Sequence, residues 1–113
     1  MKKLFFALMM LVSVPLLVRA DPPRKITVTY NNETKKLNIE IVHPVKDVAD
    51  HYIDMISIKV NDKEVQVIKP KKQSDAKNEI LNVSVPEIAK GSKVTVKVRC
   101  NKFGSKSKTI TIE

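Results

Sequence analysis

Three side chains in this sequence are suited to binding a transition metal, and each lies at the end of an apolar stretch. His43 follows one alternating apolar segment, His51 precedes the next, and Cys100, the only cysteine, ends the segment VKVRC. Imidazole nitrogen and thiolate sulfur are ligands for zinc, copper and iron. We therefore treat His43, His51 and Cys100 as candidate metal ligands, provided that the fold brings these three ends together.

Each of these residues also has a simpler interpretation. Histidines in a loop are often only solvated. Cys100 has the same parity as Val96 and Val98, which is typical of an inert thiol that continues a core-facing stripe. No second cysteine is present, so an internal disulfide is excluded.

Apolar and polar residues alternate with a period of two through most of the chain after residue 24. Six or seven such short segments predict an all-β, immunoglobulin-like antiparallel β-sandwich. The segment YIDMISIKVNDKEVQVIKP predicts a hairpin that turns at Asn61-Asp62. The apolar parity of its first strand changes, which either a bulge or burial on both faces would explain. The predicted core includes Leu81, Val83, Val94, Val96, Val98 and Ile110.

Residues 1–20, MKKLFFALMMLVSVPLLVRA, predict a secretory signal peptide. Two lysines precede an apolar run that is too short to span a bilayer comfortably and that Pro15 interrupts. We expect one β-sandwich domain at residues 21–113, secreted to a bacterial periplasm, with no transmembrane segment after signal cleavage.

The composition limits the possible partners. The formal net charge is +9, and residues 21–113 retain 18 basic against 12 acidic residues. Only Tyr30, Tyr52 and Phe103 remain as aromatics there, too few to stack bases, so we expect no nucleic-acid binding. Neither a G-x-S-x-G nor a P-loop motif occurs, which leaves hydrolase and phosphotransfer functions without support.

The segments HPVKDVADHYIDMISIKVNDKEV and VKVRCNKFG, with Gln73 between them, resemble the ferrous-iron domain of desulfoferrodoxin and superoxide reductase. The resemblance covers about residues 35–112. It implies an immunoglobulin-like sandwich holding non-haem iron, with four histidine nitrogens and one axial cysteine sulfur as ligands. It also implies reduction of superoxide to hydrogen peroxide and a small electron-donor protein as partner.

Carried over by residue, the resemblance implies ligand roles for His43, His51 and Cys100 only. Phe103 stands where the family has a further ligand histidine, and no histidine precedes His43. The implied site is therefore a reduced His/His/Cys set, with superoxide-reductase-like activity if it functions. We expect the Phe103 ring to pack over the sulfur and dry out the site.

Three alternatives remain open from the sequence. A set of two histidines and one cysteine also suits copper, with Met55 as a weak axial thioether. A domain that has lost the metal site would be a non-catalytic binding module. It could also be the partner of a sulfur-compound carrier, since thiosulfate-oxidation binding proteins show a similar rhythm of histidines and Asn-x-x-Gly.

Overall fold

Seven antiparallel strands form two sheets in the computed structural model, which describes residues 22–113. The strands are β1 (Lys25–Asn31), β2 (Lys36–Val42), β3 (Ile53–Val60), β4 (Lys63–Ile68), β5 (Asn78–Ser84), β6 (Lys93–Cys100) and β7 (Ser105–Thr111). One sheet has the order β1-β2-β5 and the other the order β4-β3-β6-β7. The predicted all-β antiparallel sandwich is confirmed.

The core is built from alternate residues of both sheets, as a pleated strand with one buried face requires. Its members are fully or almost fully buried, and the central ones are Leu37, Ile39, Ile41, Ile56, Ile58, Val94, Val96 and Val98. Val83 is buried as predicted, whereas Leu81 and Ile110 are half-buried and pack against the core from its edge. Each fully buried side chain of this kind contributes about 1.5–3 kcal/mol.

The hairpin between β3 and β4 turns at the predicted residues. Asn61 and Asp62 have φ values of 52° and 70°, the left-handed pair that a two-residue hairpin turn needs. Asn61 also anchors β6, because its amide donates to the Lys93 carbonyl and its side chain accepts from the Lys93 amide. The turn thus fixes the register of β3 against both neighbours.

The predicted irregularity in β3 is also present. The pairing of β3 with β6 shifts between Ile53, opposite Cys100, and Met55, opposite Arg99. Cross-strand partners share a face, so Ile53 and Cys100 point into the sandwich while Met55 joins the exposed Arg99 on the outer face. The shift therefore separates the Met55 side chain from the inward-facing sulfur.

The predicted signal peptide, residues 1–20, lies outside the described residues. Within residues 22–113, no helix is long and apolar enough to cross a membrane.

We expect Ile58→Ala to destabilise the domain by about 2–5 kcal/mol, because it opens a cavity beneath the centre of the larger sheet. Ile58 is fully buried between Gln66 on β4 and Val96 on β6. The matched control is Ile80→Ala, since Ile80 on β5 is 47% exposed, and its cost should be under about 1 kcal/mol. Urea unfolding of both variants measures the difference. Equal losses would contradict the core described above.

Candidate metal centre

The fold brings the three candidate ligands to one end of the sandwich. His43 directly follows β2, His51 lies two residues before β3, and Cys100 is the last residue of β6. Their potential ligand atoms all lie within 4.8 Å of one another. The two imidazole rings meet edge to face, with centroids 4.7 Å apart. This group could hold a metal ion.

The Cys100 sulfur lies inside the group. His51 Nε2 is 3.1 Å from Cys100 Sγ, and the main-chain amide of Lys102 donates to the same sulfur over 3.4 Å. Only 4% of Cys100 is exposed. The sulfur is therefore held between the imidazole of His51 and this amide, and thiolate sulfur is the form of cysteine that binds metals.

His43 is fully buried and is held by the side chain of Gln73. The distance from His43 Nδ1 to Gln73 Oε1 is 2.6 Å. Gln73 Nε2 donates to the main-chain carbonyl of His43 over 2.7 Å and to that of Asp75 over 3.0 Å. One amide thus bonds both the ring and the main chain of this histidine.

His51 is presented by a compact turn. The amides of Asp50 and His51 donate to the Asp47 carbonyl over 3.2 and 2.9 Å, and the Asp47 carboxylate accepts from the amide of Ala49. These local bonds bend the chain between Pro44 and β3, so that the imidazole of His51 faces the end of β6.

Asn101 fastens that turn to the end of β6. Its side-chain oxygen accepts from the Tyr52 amide over 2.9 Å, and its side-chain nitrogen donates to the Asp50 carbonyl over 2.9 Å. Its main-chain amide donates to the Tyr52 carbonyl over 3.0 Å. The residues on both sides of His51 are therefore bonded to the residue that follows Cys100.

The chain after Cys100 turns tightly into β7, and Gly104 permits that turn. Gly104 has a φ of 90°, and a Cβ there would lie 2.5 Å from Pro22 Cβ. The Cys100 amide donates to the Gly104 carbonyl over 2.9 Å, which closes the turn. Glycine is required at this position by both its backbone angle and the close approach of Pro22.

The expectation that Phe103 covers the sulfur is wrong. Phe103 is 65% exposed at the tip of the turn. The sulfur instead contacts the imidazole of His51 and the amide of Lys102, and Cys100 is buried although the Phe103 ring is exposed. Phe103 and Cys100 line one shallow surface depression together with Met55 and Lys102.

Met55, the axial thioether that the copper alternative requires, lies beside the register shift of β3. It is paired with Arg99, whereas the Cys100 side chain points into the sandwich. Met55 and Cys100 nevertheless line the same shallow depression, and the copper alternative stays a prediction.

Charged side chains surround this end of the sandwich. Arg99 bonds Asp54 over 2.9 and 3.2 Å, and this hydrogen bond and the opposite charge raise the pKa of the guanidinium above its usual range. Lys102 Nζ lies 3.4 Å from the Asp50 carboxylate. In the loop beside Gln73, the main-chain amides of Asn78 and Lys77 lower the pKa of Asp75, whose carboxylate accepts hydrogen bonds from both.

The donor set fits a transition metal. Two atoms bound to one tetrahedral ion at bond lengths near 2.0–2.3 Å lie about 3.3–3.6 Å apart. The 3.1 Å separation of His51 Nε2 and Cys100 Sγ is close to that value, so small side-chain movements would admit an ion. The group within the described residues supplies three protein ligands, fewer than the five that the ferrous family uses.

No sequence pattern indicated the contacts of the Gln73 amide or of the Asn101 side chain. Gln73 is thirty positions from His43, and Asn101 is 49 positions from Tyr52. Contacts between side chains in separate loops leave no periodic signal, and the only available hint was the place of both residues in segments that resemble a known family.

Comparison with known proteins found no matching family model, no similar curated protein and no similar solved structure. The desulfoferrodoxin resemblance therefore rests on the quoted residues and stays a prediction.

We expect Asn101→Ala to destabilise the domain by about 1–3 kcal/mol, because the Tyr52 amide and the Asp50 carbonyl each lose a partner. The matched control is Asn38→Ala, since Asn38 lies on the exposed face of β2 and its removal should cost within about 0.5 kcal/mol. Urea unfolding measures both. A loss no greater than that of the control would contradict the proposed fastening of the His51 turn.

Proposed function

We propose that this chain is an exported, desulfoferrodoxin-like domain that binds non-haem iron, or another transition metal with similar ligand preferences, through His43, His51 and Cys100. The periplasm as destination is part of the proposal, and it is supported by the signal-like pattern of residues 1–20.

One observation carries the proposal. The chain contains two histidines and one cysteine, and all three lie in one group whose ligand atoms are within 4.8 Å of one another. His43 follows β2, His51 precedes β3 and Cys100 ends β6, so the three residues come from the ends of three different strands. Residues that served only as solvated loop histidines and an inert core thiol would not need to meet.

The protein residues around the group have definable roles. The amide of Lys102 donates a hydrogen bond to the Cys100 sulfur, and burial of Cys100 and His43 keeps bulk water away from the ligand atoms. Burial at low dielectric strengthens the attraction between a thiolate and a cation. The side chains thus hold the donors together in a largely dry site.

A bound iron ion would supply one-electron chemistry toward a small oxidant such as superoxide. Three protein ligands, as in many catalytic zinc sites, leave room for a small molecule at the ion. A small electron-donor protein would be the partner that such a reductase requires. Residues 21–113 contain 18 basic and 12 acidic residues, and this net positive charge favours the approach of an anion.

A non-catalytic binding module is the second candidate, and the exposed Phe103 is the observation that favours it. A large aromatic side chain that is 65% exposed is typical of a contact residue for a partner. The partner of a sulfur-compound carrier would be one such module; Cys100 itself is a poor carrier thiol, because a carrier thiol must be accessible and Cys100 is 4% exposed.

Titration with cobalt(II), a spectroscopic substitute for iron and zinc, tests the proposal. We expect one ion per chain and a thiolate-to-cobalt charge-transfer band that Cys100→Ala abolishes. Removal of His43 or His51 should weaken binding by more than the about 10–100-fold typical of supporting residues. Val67→Ala, at an exposed position of β4, is the matched control and should leave the band unchanged. A wild-type protein without the band would leave the binding module as the remaining explanation.

Phe103→His tests how far the family resemblance extends. Phe103 and Cys100 line the same depression, and the exposed ring can be replaced at little cost in packing. The added imidazole should therefore tighten binding of ferrous or cobaltous ion relative to wild type, measured by the growth of the charge-transfer band. Phe103→Asn, which removes the ring without adding an imidazole, is the control. Equal affinities for wild type and Phe103→His would contradict the family-like placement of position 103.

A further inference from the structure

Gln73 lies in the loop between β4 and β5, yet its side chain is buried with 1% exposure. Its main-chain amide donates to the Val48 carbonyl over 3.0 Å, which ties this loop to the segment that joins the two histidines. A glutamine is rarely buried this completely unless its amide is fully hydrogen-bonded.

The hydrogen bonds of Gln73 determine which way its amide points. Two of its neighbours, the carbonyl oxygens of His43 and Asp75, only accept hydrogen bonds, and they lie 2.7 and 3.0 Å from Nε2. The NH2 group must therefore face them, because the opposite orientation would place three oxygens against one another. Oε1 then faces His43 Nδ1, as the 2.6 Å contact shows.

The amide orientation in turn determines the tautomer of His43. Gln73 Oε1 can only accept, so the nitrogen that it contacts must carry the proton. With the proton on Nδ1, the neutral imidazole has its lone pair on Nε2. The tautomer of a histidine ligand is commonly set in this way, by the hydrogen bond that its other nitrogen makes.

We propose that Gln73 is a positioning residue that fixes the tautomer and ring orientation of His43, so that Nε2 is the nitrogen presented to a metal. This inference rests on the proposed function and deepens it. His51 directs its own Nε2 to Cys100 Sγ over 3.1 Å, so the site consists of two Nε2 atoms and one sulfur.

The same amide ties the loop at residues 69–77 to the site. Gln73 donates to the carbonyl of Asp75, and the carboxylate of Asp75 accepts from the amides of Lys77 and Asn78 over 2.8 and 2.7 Å. The His43 amide donates to the Lys77 carbonyl over 2.9 Å. The lysine-rich loop is therefore held against His43 by its main chain as well as by Gln73.

Two substitutions separate positioning from a purely structural role. Gln73→Leu removes the acceptor and the donors at similar volume, whereas Gln73→Glu keeps an acceptor for Nδ1–H and loses only the donors. The matched control is Gln66→Leu, at a half-buried glutamine on β4. The readouts are the 15N chemical shifts of the His43 ring in the metal-free protein and the cobalt(II) dissociation constant, at a pH where the imidazoles are neutral.

We expect wild type and Gln73→Glu to show the Nδ1–H tautomer, and Gln73→Leu to shift toward the Nε2–H form that water favours. Cobalt should bind Gln73→Leu about 10–100-fold more weakly than wild type. Gln73→Glu should bind more tightly than Gln73→Leu although it also loses the two donor bonds. Gln66→Leu should match wild type in both readouts.

An unchanged tautomer and unchanged affinity in Gln73→Leu would overturn the inference. Equal loss of affinity in both Gln73 variants, in proportion to their loss of stability, would also overturn it by showing a structural role alone. If the variants do not fold, the cobalt-loaded wild type decides, because ligation through Nε2 requires a hyperfine-shifted, solvent-exchangeable Nδ1–H proton from His43. A wild type with the Nδ1–H tautomer but no cobalt band would overturn the proposed function while the tautomer assignment stands.

Discussion

The imidazole of His43 is completely buried at the end of the sandwich, and this burial constrains the structure around it. A buried polar group without a partner costs about 1–3 kcal/mol, so the ring needs a hydrogen-bonding partner that is equally buried. Gln73 provides it, and the glutamine in turn needs acceptors for its NH2 group. Within residues 22–113 no buried side-chain nitrogen or oxygen lacks a partner, so the requirement is met throughout.

Two side-chain amides order this end of the molecule in the same manner. Gln73 bonds the main chain and ring of His43, while Asn101 bonds the main chain on both sides of His51. Gln73 lies between β4 and β5, and Asn101 follows β6, so each amide comes from a loop that is distant in sequence from the histidine it holds. Both imidazoles are therefore set by the fold itself, and such preorganisation lowers the entropy lost when a ligand binds.

The number of potential protein ligands, three, limits how a metal could be held at this site. A centre with five protein ligands holds its ion firmly, whereas three ligands hold it less firmly and leave more of it available to small molecules. Phe103 is exposed at the rim, and Lys102 beside it is paired with the Asp50 carboxylate, which offsets its positive charge.

The sequence alone determined the strand pattern, the turn at Asn61-Asp62 and the change of apolar parity in β3, because these depend on alternation and on backbone preferences of neighbouring residues. The tertiary structure decided which side chains meet. A shift of one residue moves a side chain to the opposite face of a sheet, so the face of Met55 depended on the position of the bulge. The exposure of Phe103 and the contact of Gln73 with His43 depended on packing between loops distant in sequence, for which no local pattern exists.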